Sequence, residues 1–277
     1  MPSMGAVPTM IVAAVGLAAT MAIAWLIAIR SGRSGWIDAI WSFAVGIFGA
    51  LAALIASLDG DNPQRQWLVA IIALAWSLRL GFHILVRTLA DDRDDPRYGQ
   101  LKREWGGAFQ GRLFWFLQIQ AAAAFLLVLS IMAAAHNPAP ALGAADWFGV
   151  ALMVVAVGGE ALADRQLRAF RADPANRGQV CDVGLWGLSR HPNYFFEWLG
   201  WTAYAAIAIG FPIAHGWGFV ALAGPVLMYW LLVHVSGIPP LEAHMLRSRG
   251  ERFRRYQARV NAFWPGAPRQ ATASERR

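Results

Sequence analysis

The sequence contains little charge and almost no cysteine. Charged residues make up 15% of the 277 residues and hydrophobic residues 57%, whereas a typical soluble domain has about 25% charged residues. A soluble surface of ordinary polarity cannot be built from so few charged side chains. The single cysteine, Cys181, excludes an internal disulfide and a multi-cysteine metal cluster. The composition therefore predicts an integral membrane protein.

The motifs of common soluble cofactor sites are also missing. No G-x-G-x-x-G follows a strand and no G-x-x-x-x-G-K-[ST] occurs, so neither a Rossmann nor a P-loop site is indicated. H-E-x-x-H is absent and the six histidines form no tight ligand cluster, so we expect no metal site. The net charge of +7 could indicate nucleic acid, but the arginines lie between apolar runs. That arrangement favours membrane topology, and we expect no nucleic-acid partner.

Seven apolar runs have about the length of 20 residues that a membrane span requires. They cover roughly residues 6–29, 36–58, 66–86, 113–135, 146–163, 193–214 and 217–237. No basic residue precedes the first run, so we expect a retained helix rather than a signal peptide. The fold class expected is an all-α integral membrane protein with seven transmembrane helices. We expect one membrane domain over residues 1–277, of which 266–277 form a disordered tail.

Basic residues lie almost entirely in every second connection between these runs. Those connections and the C-terminal tail contain 22 of the 24 Lys and Arg residues. Of the other two, Arg65 falls on the opposite side and Arg79 inside the third run. The positive-inside rule then predicts an outside N-terminus and a cytoplasmic C-terminus in the cell inner membrane. The long, polar third and fifth connections would face the cytoplasm, where we expect the binding chemistry.

Three of the predicted helices carry ionisable or polar residues along one face. Ionisable groups at membrane depth are costly and usually functional. At about 100° per residue, these side chains form stripes that reach the cytoplasmic edge, and we expect them to line one cavity. The alternative is that they pair with one another and hold the helices together. The stripes comprise Trp76, Arg79, His83 and Arg87; Glu160, Asp164, Arg168 and Arg171; and Asn193, Glu197, Gly200 and Tyr204.

The segment 182–198, DVGLWGLSRHPNYFFEW, is the most informative part of the sequence. Pro192 fits the first turn of a helix, which places Arg190 and His191 beside the free N–H groups of the helix start. Such a helix end favours a phosphate or a carboxylate. Arginines nearby on the same side favour a polyanionic ligand such as a nucleotide cofactor. The alternative is a capped helix with an arginine at the membrane surface.

Three stretches resemble the bacterial branch of the steroid 5-alpha-reductase-like membrane proteins. They are DDPRYGQLKREWG (94–106), PANRGQVCDVGLWGLSRHPNYFFEWLGW (174–201) and VSGIPPLEAHML (235–246). The resemblance runs from about the second span to residue 265, and it implies seven transmembrane helices with NADPH in a cytoplasm-facing cavity. It also implies a substrate half in residues 1–112 and a cofactor half in 113–265. The wider superfamily includes isoprenylcysteine carboxyl methyltransferases, which bind S-adenosylmethionine with a similar C-terminal half.

The resemblance also implies site residues. In the reductases a Gln-Glu pair and a Tyr bind the steroid carbonyl; here the pair's region contains Asp38, and the Tyr position looks like Trp76. Asp38 is the acid that we expect beside the substrate carbonyl, and Glu197 is the second candidate. The cofactor-binding residues that the resemblance implies are Arg79, Arg97, Tyr98, Glu160, Asp164, Arg168, Arg171, Arg190, His191, Asn193, Glu197 and His244.

Taken together, these features predict an NADPH-dependent reductase of a lipophilic enone, such as a steroid, sterol or isoprenoid. The transfer of a hydride to the β-carbon requires an acid near the carbonyl, where the enolate develops. The alternative is a methyltransferase that uses S-adenosylmethionine on a lipid or thiol. That cofactor has no phosphate, so the surplus of Arg171, Arg177 and Arg190 favours the dinucleotide. A transporter or lipid-binding protein would be indicated by a repeat in the two halves, and none is visible.

Overall fold

The computed structural model describes residues 6–55, 62–90, 96–211 and 216–269. These residues contain helices and no strand, which confirms the all-α prediction for this part of the chain. The α-helices are α1 (Ala6–Ser31), α2 (Gly35–Ile55), α3 (Pro63–Ala90), α4 (Pro96–Trp105), α5 (Phe109–Ala135), α6 (Ala144–Ala172), α7 (Pro192–Ile209), α8 (Ala223–Trp230), α9 (Ile238–Arg249) and α10 (Glu251–Arg259). Short 3₁₀ helices cover Gly106–Ala108, Pro174–Asn176, Gly184–Gly187 and Gly216–Leu222, and a π-helix covers Leu231–Val235.

Six segments of the described chain are long and apolar enough to cross a membrane. They are α1, α2, α3, Tyr98–Ala135, α6 and Gly216–Arg249. These segments support a multi-pass membrane protein. The sixth predicted run corresponds to α7, which has 18 residues and is not among the six. The count of seven spans and the orientation therefore stay predictions.

The last predicted span, residues 217–237, is not one regular helix. It begins as the 3₁₀ helix Gly216–Leu222, continues as α8, and ends in the π-helix Leu231–Val235. Pro225 lies close to the start of α8, where a missing N–H is tolerated. Hydropathy alone cannot detect these changes of helix type, because all three segments are equally apolar.

The chain divides into two compact units. One comprises Met1–Val150 and Ala203–Gly224, and the other comprises Ala151–Thr202 and Pro225–Arg277. The sequence predicts one membrane domain with a substrate half and a cofactor half that meet near residue 112. That division is by function, and it stays a prediction.

In the first unit, α2 packs against α1, α3 and α5. Small residues allow this close packing, as is common between membrane helices. A Cβ on Gly46 would lie 2.1 Å from the Cβ of Ser77 on α3, and a Cβ on Gly49 would lie 2.5 Å from the Cδ1 of Ile131 on α5. Ser77 also donates a hydrogen bond of 2.9 Å to the carbonyl oxygen of Ser42. These contacts hold α2, whose first turn carries Asp38, against α3 and α5.

Arg65 lies in the first turn of α3 and is completely buried. Its guanidinium binds both carboxylate oxygens of Asp146, at 2.7 and 3.1 Å. The remaining N–H groups donate to the carbonyl oxygens of Asn137, Ala139 and Ala141 at 2.6–2.8 Å. The basic residue that contradicts the charge pattern of the loops is therefore paired inside the protein and is not an exposed loop charge.

In the second unit, the loop that follows α6 is fixed by polar contacts to α6 itself. The Trp186 indole donates to the Ala163 carbonyl oxygen at 2.9 Å, and the backbone N–H of Leu185 donates to Gln166 Oε1 at 2.9 Å. Gly159 on α6 contacts Phe196 on α7 so closely that a Cβ there would lie 2.4 Å from the ring. These contacts hold the segment that precedes Pro192 in one conformation.

Candidate functional site

The first unit brings a carboxylate, a phenol and an amide together. Asp38 lies in the first turn of α2, and the buried hydroxyl of Tyr98 on α4 donates to Asp38 Oδ1 at 3.2 Å. Gln120 on α5 donates from Nε2 to the Tyr98 hydroxyl oxygen at 3.5 Å. The three side chains come from three helices and form one polar chain.

This arrangement changes how two of the predicted residues are related. The resemblance implies that Asp38 serves the substrate and that Tyr98 serves the cofactor, yet the two side chains share a hydrogen bond. A carboxyl group that accepts a hydrogen bond from a phenol on one oxygen can donate a proton from the other, and the phenol then fixes its orientation. Sequence reasoning did not select Gln120, although a polar side chain inside the apolar fourth run is a usable signal.

The predicted stripe on α3 lies in the same unit. Trp76 is buried, Arg79 and His83 are half-buried, and Arg87 is exposed. Exposure of these four side chains therefore increases toward the end of α3. The side chain of Arg97 lies outside the described residues, so its predicted role stays a prediction.

The stripe on α6 lies in the second unit and follows the same gradient. Glu160 and Asp164 are buried, at 7% and 9% exposure, whereas Arg168 and Arg171 are exposed. On α7, the buried carboxylate of Glu197 accepts a hydrogen bond of 3.0 Å from the Trp201 indole. These side chains and those of α3 belong to different units, so the prediction that all three stripes line one cavity stays a prediction.

Residues Ser189–Pro192 form the S-R-H-P loop. This loop takes part in a dense polar network that centres on Glu242 of α9. Arg190 donates from Nε and Nη2 to the two oxygens of Glu242, at 2.7 and 3.2 Å. Its Nη1 donates to the carbonyl oxygens of Gln257 and Val260. His191 contacts Glu242 Oε1 at 2.9 Å through Nε2, and the Gln257 amide donates to Oε2 at 2.6 Å.

These contacts give Arg190 a structural function that the sequence does not reveal. Four of the five N–H groups of its guanidinium donate to groups inside the protein, and its predicted role at a cofactor stays a prediction. The partner, Glu242, lies 52 residues later in the chain. It falls within VSGIPPLEAHML, but an isolated glutamate there gave no indication of its partners. His244, also predicted as a cofactor residue, is exposed on α9.

Burial and the contact with Glu242 act in opposite directions on the imidazole of His191. Burial lowers the pKa of the ring below the ordinary value, and the hydrogen bond to Glu242 raises it by less. Burial thus favours the neutral form. Because the carboxylate of Glu242 only accepts, Nε2 carries the proton. Nδ1 is buried and makes no hydrogen bond with the described residues.

The segment after α10 completes the loop. The backbone N–H of Arg190 donates to the Asn261 carbonyl oxygen at 2.9 Å, and the Ser189 hydroxyl donates to the Phe263 carbonyl oxygen at 2.9 Å. Trp264 packs edge-on against Trp198 of α7, with ring centroids 5.0 Å apart. The S-R-H-P loop is thus built as much by residues 242–264 as by its own sequence.

Two further features concern the chemistry that the described chain can support. The π-helix Leu231–Val235 carries His234, whose ring lies 5.8 Å from that of Tyr229, and π-turns occur frequently at functional sites. Among the described residues, no group of three or more His, Cys, Asp or Glu side chains is arranged to hold a metal ion.

Comparison with known proteins gives one match. No curated protein and no solved structure matches the chain. A family model described as "Protein of unknown function (DUF1295)" matches residues 24–260. This range contains Asp38, Tyr98 and the whole network around Glu242. Since the matched range covers most of the sequence, the chain belongs to the DUF1295 family.

Proposed function

We propose that this protein is a membrane-embedded, NADPH-dependent reductase of a lipophilic enone, such as a steroid, sterol or isoprenoid. The observation that carries the proposal is the hydrogen bond between the Tyr98 hydroxyl and the Asp38 carboxylate. The resemblance of the sequence to steroid 5-alpha-reductase-like proteins supports it. NADPH, when bound, supplies the hydride that reaches the β-carbon of the C=C–C=O unit.

In this proposal, Asp38 and Tyr98 act on the carbonyl end of the enone. Negative charge develops on the carbonyl oxygen as the hydride arrives, and a hydrogen-bond donor held there lowers the barrier. Asp38 is the acid that donates to the carbonyl oxygen from Oδ2, while its Oδ1 accepts the hydrogen bond from the Tyr98 hydroxyl, which orients the carboxyl group. Gln120 fixes the phenol oxygen from the other side. The reduction is complete when the α-carbon takes up a proton, so one hydride and one proton are added across the C=C bond.

The cofactor side of the proposal rests on α6 and α7. Arg168 and Arg171 extend from the exposed end of α6, where guanidinium groups can bind a pyrophosphate. Glu160 and Asp164 are buried one to two turns earlier and can accept hydrogen bonds from hydroxyl or amide groups. Arg190 is not used here, because its N–H groups are occupied by Glu242 and by main-chain oxygens.

Binding measurements on Arg171→Ala test the cofactor assignment. We expect the purified protein to bind NADPH, and the variant to bind it about 1.5–3 kcal/mol more weakly, the range for a hydrogen bond to a charged group. Isothermal titration calorimetry in detergent measures both affinities. Arg165→Ala is the matched control, since Arg165 is exposed on α6 outside the stripe. Unchanged affinity in folded Arg171→Ala would remove this residue from the site, and binding of S-adenosylmethionine instead of NADPH would favour the methyltransferase.

The proposed orientation places the C-terminus and the cofactor side in the cytoplasm, with seven spans. Two reporters are fused after Arg277, one that works only in the cytoplasm and one that works only in the periplasm. We expect only the cytoplasmic reporter to be active, because 22 of the 24 basic residues fall on that side. Burial of Arg65 against Asp146 removes the exception in the loops. Reporters inserted on either side of α7 should lie on opposite sides of the membrane. A periplasmic C-terminal reporter, or two α7 reporters on one side, would contradict the seven-span topology.

A further inference from the structure

A basic pocket lies in the second unit, apart from the network around Glu242. It has a volume of about 630 Å³, which is within the range of about 300–1,000 Å³ typical of small-ligand pockets. The end of α6, the loop that follows it and α10 form its walls. The residues that define it are Phe170, Gln179, Val180, Arg252, Arg255 and Arg259.

The arginines project from one side of α10 because the other side is anchored. Phe253 and Tyr256 are buried and pack with Val180 and the adjacent α9. The Tyr256 hydroxyl donates to the carbonyl oxygen of Trp186. With spacings of three and four residues, Arg252, Arg255 and Arg259 are neighbours on one face of the helix. Three guanidinium groups are thus presented from a helix that is fixed to the rest of the unit.

The loop opposite α10 is shaped around the same arginines. Gly178 has a φ of +80°, a conformation that is readily available only to glycine. The turn exposes its carbonyl oxygen, which accepts a hydrogen bond of 3.0 Å from Arg252 Nη1. Arg252 is thereby positioned with N–H groups left over for another acceptor.

The charge of the pocket is not balanced by its own residues. Asp182 is the only acidic residue among those that line it, and its carboxylate pairs with Arg259 at 2.9 Å. Arg255 is exposed, and the hydrogen bonds and ion pairs of the described residues do not include it. Two of the three arginines therefore remain available for an anion. Guanidinium groups match the oxygens of a phosphate with paired, charge-assisted hydrogen bonds.

We propose that this pocket binds the phosphate group of an anionic ligand. The apolar wall formed by Phe170 and Val180 contacts the part of the ligand that carries the phosphate, while Arg252 and Arg255 bind its oxygens. An acidic phospholipid headgroup and a soluble diphosphate share this chemistry. The pocket residues and Asp38 belong to different units, and the proposed binding of a phosphate does not rest on enone reduction.

The experiment uses the full chain in detergent with two probes, dioleoyl phosphatidic acid and inorganic pyrophosphate. Native mass spectrometry measures lipid binding, with dioleoyl phosphatidylcholine as the reference, and titration calorimetry measures pyrophosphate binding. We expect at least one probe to bind, and Arg252→Gln/Arg255→Gln to weaken it about ten- to hundredfold, since hydrogen bonds to a charged group are lost. If the variant is weakened only in its binding of phosphatidic acid, the ligand is a lipid headgroup. If it is weakened only in its binding of pyrophosphate, the ligand is a soluble diphosphate.

Arg254→Gln is the matched control. Arg254 lies on the same helix, pairs with Glu251 at 3.3 Å and is 70% exposed outside the pocket, so its variant should bind like the wild type. Arg255→Gln alone keeps the test valid if the double variant folds poorly, because no described hydrogen bond is removed. The proposal is overturned if neither probe binds the wild-type protein, or if the pocket variants bind the probe as tightly as the wild type does. It is also overturned if Arg254→Gln weakens binding as much as the pocket variants do.

Discussion

Asp38→Asn is expected to lower the turnover of enone reduction by about 10²–10⁴-fold, the range for loss of a general acid–base group. Asparagine preserves the shape of the side chain and still accepts a hydrogen bond from the Tyr98 hydroxyl. It cannot transfer a proton to the developing enolate. That transfer acts mainly in the transition state, so NADPH affinity should stay nearly unchanged.

Two companion variants separate catalysis from packing. Tyr98→Phe removes the hydroxyl that binds Asp38 at 3.2 Å and should reduce turnover to a similar degree. Ser42→Ala should have little effect, because that hydroxyl only donates to the main-chain oxygen of Asp38, at 2.8 Å. A panel of enones with NADPH oxidation as the readout supplies the assay. Normal turnover in Asp38→Asn would end its catalytic assignment and make Glu197 the next candidate.

Arg65→Met is expected to destabilise the protein by about 3–5 kcal/mol, the cost of breaking a buried ion pair by removing one partner. The variant leaves the carboxylate of Asp146 buried without its counter-ion. It also removes the donors to three carbonyl oxygens in the connection before α6. Thermal and denaturant unfolding in detergent, followed by circular dichroism, measures the change.

A double variant shows whether the ion pair is the cause. Arg65→Met combined with Asp146→Leu removes both charges, and replacement of a whole buried pair by apolar residues is often tolerated. We therefore expect it to recover much of the lost stability. Gln64→Met, at the exposed neighbour of Arg65, should change stability by no more than about 0.5 kcal/mol. If Arg65→Met unfolds like the wild type, the interaction with Asp146 does not stabilise the fold.

Arg65 also illustrates which features the sequence can predict. Hydropathy placed it correctly near the start of the third apolar run, and the charge pattern identified it as an exception. The reason for the exception is Asp146, 81 residues later, and no local pattern encodes a contact at that distance. Similarly, Pro192 predicted the start of α7 correctly because proline at the first position of a helix is a local rule.

The same distinction applies to the candidate site. Asp38 was identifiable because a carboxylate at the start of an apolar run is unusual. Its partner Tyr98 comes from a polar connection 60 residues away, and only the fold shows that the two side chains meet. Arg190 was expected to bind a phosphate because the helix start beside it favours anions. Glu242 supplies a negative charge to Arg190 from within the protein, and the local rule could not predict that partner. Binding of a phosphate by Arg190 stays a prediction.

The contacts of the S-R-H-P loop also affect the order in which the protein can be assembled during synthesis. Arg190 requires Glu242, made 52 residues later, and Ser189 requires the carbonyl oxygen of Phe263, made 74 residues later. Until the ribosome has produced those residues, the guanidinium of Arg190 and Nε2 of His191 lack the hydrogen-bond partners that they have in the folded chain. The nascent loop is therefore completed late, whereas the Gly46–Ser77 contact between α2 and α3 can form as soon as those two neighbouring helices have been inserted.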